Sequence, residues 1–220
     1  MNNSIKIISI EGNIGSGKST VVNSLKEFYK VNGKSNIYFL EEPVDEWIQI
    51  KDTFGKNIIE KFYENQERYS FSFQMMAYIS RLAMLKRAMK ECQEKGYKII
   101  VCERSLQTDK NVFCKMLYDS DKIEDVEFQI YNKWFYEFIT EIPEINFIYI
   151  KTKPSVAFER VFERNRKGEA IELEYLEMCS KYHDSWLINS PESNNSNIII
   201  DGNKKYDEVF DKVERIIRNF

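Results

Sequence analysis

The sequence predicts an α/β protein built on one parallel sheet, and three observations carry that prediction. Five short β-rich runs, Ile5 to Ile10, Ile37 to Leu40, Tyr97 to Cys102, Asn146 to Ile150 and Asn197 to Ile200, alternate with longer helix-compatible stretches. The first run leads into Gly12-Asn13-Ile14-Gly15-Ser16-Gly17-Lys18-Ser19, which fits the G-x-x-x-x-G-K-[ST] phosphate loop at every position. At 220 residues the chain suits one sizeable core, so 1–220 reads as a single domain without a linker or an internal repeat.

The phosphate loop sits in the context it requires, between an apolar strand and the helix-compatible stretch Ser19 to Tyr29. Its glycines let the backbone wind closely enough for N–H groups to converge on phosphate oxygens. Lys18 adds charge, and the Ser19 hydroxyl is suited to Mg²⁺. With Thr20 behind it, this segment is the candidate site for a nucleoside triphosphate.

The second strand runs into Glu41-Glu42-Pro43-Val44-Asp45-Glu46-Trp47, acidic residues at the carboxyl end, where open α/β sheets bind ligands. Pro43 biases Glu42 toward an extended conformation, which makes Glu42 a candidate general base facing the phosphate loop. The third strand closes on Val101-Cys102-Glu103-Arg104-Ser105. Glu103 stands where phosphate-loop enzymes hold a metal through an acidic residue, directly or through water. Arg104 is placed to compensate that charge and to reach a reacting oxygen.

Two helical stretches, Phe71 to Met89 and Val126 to Ile139, are apolar on more than one face and are therefore buried or at an interface. Arg160, Arg164 and Arg166 lie within two helical turns, ahead of a break at Lys167-Gly168-Glu169-Ala170. An arginine-bearing lid over roughly 160–172 suits an enzyme that must cover a triphosphate. Asn189 to Asn197 reads as a polar loop, and the stripe from Tyr206 through Val209, Val213 and Ile217 to Phe220 reads as a last helix that covers the sheet.

Composition narrows the function classes. A formal net charge of -3 argues against a duplex nucleic-acid binder, which would carry a basic face. The 4 cysteines show no C-x-x-C spacing and His183 is the only histidine, which is poor material for a zinc site and suits reduced thiols in the cytoplasm. The first strand leaves no room for a leader, and no apolar run approaches the ~18 residues of a membrane span.

In order along the chain, the phosphate loop, Glu42-Pro43-Val44 with Trp47, Tyr63, Phe73-Gln74, Arg81, Glu103-Arg104-Ser105, Asp109, the arginines and Leu173-Glu174-Tyr175-Leu176-Glu177 resemble the deoxynucleoside kinases. The resemblance covers nearly the whole chain and implies Mg²⁺-dependent transfer from ATP or another triphosphate to a deoxynucleoside 5′-hydroxyl, by a homodimer. It implies that Glu42 takes the proton with Arg104 beside it, and that Lys18, Arg160, Arg164 and Arg166 clamp the transferring phosphoryl. It further implies that Trp47 and Phe73 line the nucleoside site, Gln74 pairs with the base edge, Phe113 stacks on the base, and Tyr63 with Glu169 grips the 3′-hydroxyl.

Base choice rests on Arg81 and Asp109. A carboxylate accepts hydrogen bonds, so Asp109 favours the amino group of cytosine or adenine over the carbonyl of thymine, while Arg81 neutralises it and can donate to a purine. A nucleoside monophosphate kinase, such as one acting on thymidylate, is the neighbouring reading. It would want more cations around the acceptor than Tyr63 to Arg81 supplies. A guanine-nucleotide switch is remoter: Asp52-Thr53-Phe54-Gly55 fits D-x-x-G, but no apolar strand leads into it and no Asn-Lys-x-Asp follows.

Overall fold

The computed structural model describes residues 5–33, 36–166, 169–190 and 197–220. The break at 167–168 and most of the polar loop, 191–196, lie outside the described residues. Five strands, β1 (Lys6–Glu11), β2 (Ile37–Leu40), β3 (Ile99–Glu103), β4 (Ile145–Lys151) and β5 (Ile198–Asp201), form one sheet in the order β2-β3-β1-β4-β5. Every pairing is parallel. β1 is central, and chain crossovers leave it in both directions, so its carboxyl end opens on the crevice where such sheets bind ligands.

Strand alternation divides the core. Ile5 and Ile7 face a layer built from α4 (Gln66–Lys95) and α7 (Asp125–Ile139), while Ile8 and Ile10 face α1 (Lys18–Val31) and α10 (Tyr206–Arg218). A period of two thus gives both faces of one strand a partner. On α10 the buried apolar residues are Val209, Val213 and Ile217, whereas Tyr206, expected in the stripe, is 43% exposed at the first turn. The cover begins one turn later than the sequence predicts.

α4 is the longest element, 30 residues and so about 45 Å. Asn65 starts it by accepting a hydrogen bond from the Arg68 N–H at 3.0 Å, and Gly96 ends it in a left-handed conformation. Its buried positions, from Ser70 through Gln74, Ala77, Tyr78, Arg81, Leu82, Leu85 and Ala88 to Cys92, recur at three- and four-residue steps. Gln74 and Arg81 occupy two places in that inward stripe. A polar residue there has to find partners inside, which marks the segment of α4 beside the site.

Shorter elements surround the crevice: α2 (Val44–Trp47), α3 (Ile58–Glu64), α5 (Leu106–Thr108), a π-helical turn (Asp109–Cys114) and α6 (Lys115–Asp119). α8 (Pro154–Arg164) and α9 (Leu173–Leu187) complete the fold. A π turn carries one residue more than an α turn, and such turns recur at functional sites. Here Asp109 and Phe113, four residues apart, both line the same cavity.

Candidate active site

The phosphate loop links β1 to α1 with little freedom. A Cβ on Gly12 would stand 2.6 Å from Ser16 Oγ and 2.7 Å from the Ile150 carbonyl oxygen, so only glycine lets the loop pass this close to β4. Gly17 caps α1 at a φ of 94°, a left-handed geometry that aims the first helical N–H groups into the crevice. Asn13 pins the loop from inside: its Nδ2 donates to the Leu176 carbonyl at 2.8 Å and its Oδ1 accepts from the Ile14 N–H at 2.8 Å. Lys18 Nζ donates to the Asn13 carbonyl at 2.8 Å. Burial, then the nearby Arg104, push the Lys18 ammonium down to about 7 against the opposing pull of Glu103, Glu42 and Glu11.

A cavity of about 970 Å³ extends from this loop to an aromatic wall. On the loop side it is lined by Ile14, Gly15, Gly17, Lys18, Ser19 and Thr20, whereas Gly12, Asn13 and Ser16 form the frame beneath. The far side is lined by Trp47, Tyr63, Phe73, Gln74, Asp109 and Phe113, with Tyr175 from α9. Trp47 is fixed by an indole hydrogen bond to Ser80 Oγ at 2.8 Å and an edge contact with Phe73. Among the described residues the buried Gln74 amide has no hydrogen-bond partner, although it borders the cavity. An amide so placed is able to hydrogen-bond a polar group inside the cavity.

Glu42 and Glu103 stand between the two sides. Ser19 Oγ donates to Glu103 Oε1 at 2.6 Å, bringing together two hard oxygen donors beside the loop. Among the described residues no cluster of three or more acidic, histidine or cysteine side chains could hold a metal by itself. Two hard oxygen donors suit Mg²⁺, which Ser19 and Glu103 would hold beside the phosphate loop to supply charge screening for a triphosphate. Arg104 does not compensate Glu103 as the sequence suggests. Its Nε lies 3.3 Å from Glu42 Oε1 instead, because a φ of 65° turns the residue away from the strand direction, and its guanidinium covers the Phe113 ring at 4.8 Å.

Arg81 is also placed differently from the sequence expectation. It does not line the cavity but lies behind it, with Nε donating to Asp109 Oδ2 at 2.8 Å and Nη1 to the Glu103 carbonyl at 2.9 Å. Its Nη2 donates to Glu42 Oε1 at 2.9 Å and Asp109 Oδ1 at 3.3 Å. These bonds leave one of its five N–H groups uncommitted, so Arg81 holds the carboxylates of Glu42 and Asp109 from behind the cavity. Burial would raise the Glu42 pKa, but Arg104, Arg81 and Lys18 outweigh it and hold the carboxyl at about 2. Burial pushes the Asp109 carboxyl up against the pull of Arg81.

The arginines divide by task. Arg160 donates to the Ser16 carbonyl at 3.3 Å and the Gly202 carbonyl at 3.2 Å, bracing the phosphate loop against the turn after β5. Arg164 and Arg166 both donate to Glu169, the latter at 2.8 Å, on the other side of the break. All four residues line the cavity. The sequence does not point to Glu11 or Thr108, and it marks Tyr175 only as part of the Leu173-Glu174-Tyr175-Leu176-Glu177 motif, with no role of its own. The usable signal for Glu11 was a carboxylate closing an otherwise apolar strand.

A phosphate loop at the switch point, an acidic strand end beside it and a cavity reaching an apolar wall with an amide define a P-loop phosphotransferase. The deoxynucleoside kinase family model matches residues 8–220, and the chain belongs to that family. It is 34% identical to the deoxycytidine kinase of Mus musculus over 205 residues, covering 84% of this chain and 76% of that protein. A probable deoxycytidine kinase of fowlpox virus (strain NVSL) is 35% identical over 83% of this chain and 72% of its own length. The mitochondrial deoxyguanosine kinase of Xenopus laevis is 29% identical over 83% of this chain and 73% of its own length.

Proposed function

We propose that the protein transfers the γ-phosphoryl group of ATP, or another nucleoside triphosphate, to the 5′-hydroxyl of deoxycytidine, deoxyadenosine or deoxyguanosine in preference to thymidine. The observation that carries this reading is Glu42, a carboxylate held by Arg81 and Arg104 between the phosphate loop and the Gln74 wall. Positioned there, it can accept the 5′-hydroxyl proton as the oxygen attacks. A carboxyl held at about 2 is a weak base. The incoming triphosphate draws on Lys18 and Arg104, loosens their hold on Glu42 and raises its basicity when the proton must move.

Lys18 leaves the Asn13 carbonyl for the β- and γ-phosphates, and the loop N–H groups hold the remaining oxygens. Arg164 and Arg166 exchange Glu169 for phosphate, which frees Glu169 to meet the sugar hydroxyl beside Tyr63. Ser19 and Glu103 would hold Mg²⁺, which when bound screens the triphosphate charge. Gln74 pairs with the base edge, Phe113 stacks on its face, and Asp109 selects for an amino group.

The working unit in this reading is a homodimer in the cytoplasm. Ile79 on α4 and Val126, Ile130, Trp134 and Tyr136 on α7 are between 40% and 59% exposed, more apolar surface than either helix needs for its own core. Among the described residues no helix is long and apolar enough to cross a membrane.

A coupled assay of ATP turnover against the four deoxynucleosides and thymidine monophosphate, with and without Mg²⁺, tests the catalytic reading. Faster turnover of the monophosphate than of any nucleoside would replace it with the monophosphate kinase alternative. Light scattering on the purified protein tests the dimer.

A further inference from the structure

Glu11 closes β1 directly before the phosphate loop, has 0% of its surface exposed and takes no part in the chemistry proposed above. Among the described residues no cationic nitrogen lies within ion-pair distance of it. Hydroxyls hold it instead: Ser9 Oγ donates to Oε1 at 2.7 Å, and Thr108 Oγ1, 97 residues away, donates to Oε2.

A carboxylate only accepts, so the single hydroxyl proton of Thr108 is committed to Glu11 and its lone pairs are free to accept. Both are used, by the Ser105 N–H at 3.4 Å and the Ser105 hydroxyl at 3.1 Å. Ser105 Oγ in turn accepts from the Thr108 N–H at 3.2 Å, which closes the turn. The segment fixed this way follows Arg104, which among the described residues is one of three non-glycine residues at positive φ, and ends against Asp109. A strained residue persists only where its surroundings over-determine it, and this buried network fixes the residue that follows Arg104 in the chain, while the Arg104 N–H itself donates to the Ile10 carbonyl at 3.1 Å, next to Glu11.

We infer that Glu11 is a positioning residue: through Thr108 and Ser105 it holds the Arg104–Asp109 segment in the shape that presents Arg104 to Glu42 and Asp109 to the nucleoside. The phosphate loop and the acceptor wall are thereby tied to one residue at the end of the central strand. This inference rests on the deoxynucleoside reading of the site.

The test is a split in Michaelis constants across Glu11→Ala, Glu11→Gln, Thr108→Val and the Glu11→Ala/Thr108→Val double variant. Glu11→Ala and Thr108→Val are each expected to raise the deoxynucleoside KM roughly 10-fold, the change typical of a misplaced orienting group, with the KM for ATP within about 2-fold of wild type. The double variant is expected to add little to either single change, because both cut the same link. Glu11→Gln, whose amide oxygen can still accept from Thr108, is expected to restore most of the deoxynucleoside KM. If Glu11→Ala does not fold, Thr108→Val and Glu11→Gln make the same comparison.

Folded variants with lower melting temperatures but an unchanged deoxynucleoside KM would leave Glu11 a merely structural residue and overturn the inference. Additive effects in the double variant, or a Glu11→Gln defect as large as that of Thr108→Val, would overturn it as well. A wild-type enzyme that phosphorylates no deoxynucleoside would refute the functional reading itself, and this inference with it.

Discussion

Arg81 Nη2 donates to Glu42 Oε1 at 2.9 Å, so the arginine behind the base pocket also holds the candidate proton acceptor. Through the two Asp109 oxygens it reaches the opposite side of the cavity. Three charged residues from β2's end, α4 and the π turn therefore form one buried unit, in which the proposed base-selecting carboxylate and the proposed proton acceptor share one arginine.

Glu42→Gln keeps the shape of that unit and removes the proton acceptor. We expect kcat to fall by roughly 10²–10⁴ while ATP binding stays close to wild type. Single-turnover kinetics with calorimetric ATP titration measures both. A near-normal kcat would move the base role to another group.

Lys18→Ala removes the ammonium that now rests on the Asn13 carbonyl and that transfer requires at the phosphates. Turnover is expected to drop below detection with the fold intact, because Asn13 keeps its own bonds to Leu176 and Ile14. Circular dichroism beside the coupled assay checks this. Substantial residual activity would contradict the phosphate-loop role itself.

His183 supplies a prediction about stability. Its Nδ1 lies 2.7 Å from the Cys179 carbonyl and its ring stacks on Tyr149 at 5.7 Å. Burial, then Arg104, bring its pKa down to about 3, with only the Cys179 bond opposing. An unfolded chain therefore binds this proton between about pH 3 and 6.5 when the folded one does not, so stability rises with pH across that window and is lost as pH falls below about 6.5. The contribution is on the order of 5 kcal/mol over the whole window. Denaturant titrations of wild type and His183→Phe at several pH values should show a shallower slope in the variant. Equal slopes would mean that His183 titrates normally in the folded protein.

The parts of this protein legible in sequence are those whose chemistry is local. The phosphate loop is contiguous, so glycine spacing alone reveals it, and the strands show themselves through apolar runs whose ends shift by only a residue or two in the structure. Glu42 and Glu103 follow from their places at strand ends. What could not be read is pairing at a distance. Residue chemistry alone sets Arg104 against its neighbour Glu103, and only the family resemblance sets it beside Glu42, because the turn depends on a left-handed backbone at one residue. The partnership of Glu11 with Thr108 appears only when β1 and β3 lie side by side, and the extra residue of the π turn leaves no local pattern.

The last prediction concerns base choice, and the placement of Arg81 changes how it must be measured. Asp109 borders the cavity while Arg81 stands behind it, so in the function proposed above the carboxylate is the member that meets the base and the arginine the one that orients it. Asp109 should then disfavour the carbonyl that thymine presents where cytosine carries an amino group. Removing either member alone leaves a buried charge without its partner, which typically costs about 3–5 kcal/mol, so the pair is best replaced together, as Arg81→Met with Asp109→Ala. Because Arg81 also holds Glu42, the double variant is expected to lose kcat on every substrate. The informative quantity is the ratio of kcat/KM for thymidine to that for deoxycytidine, which we expect to rise roughly 10-fold or more. A folded double variant with an unchanged ratio, or a wild-type enzyme that already prefers thymidine, would reduce the pair to a buried ion pair that supports the fold and Glu42 alone.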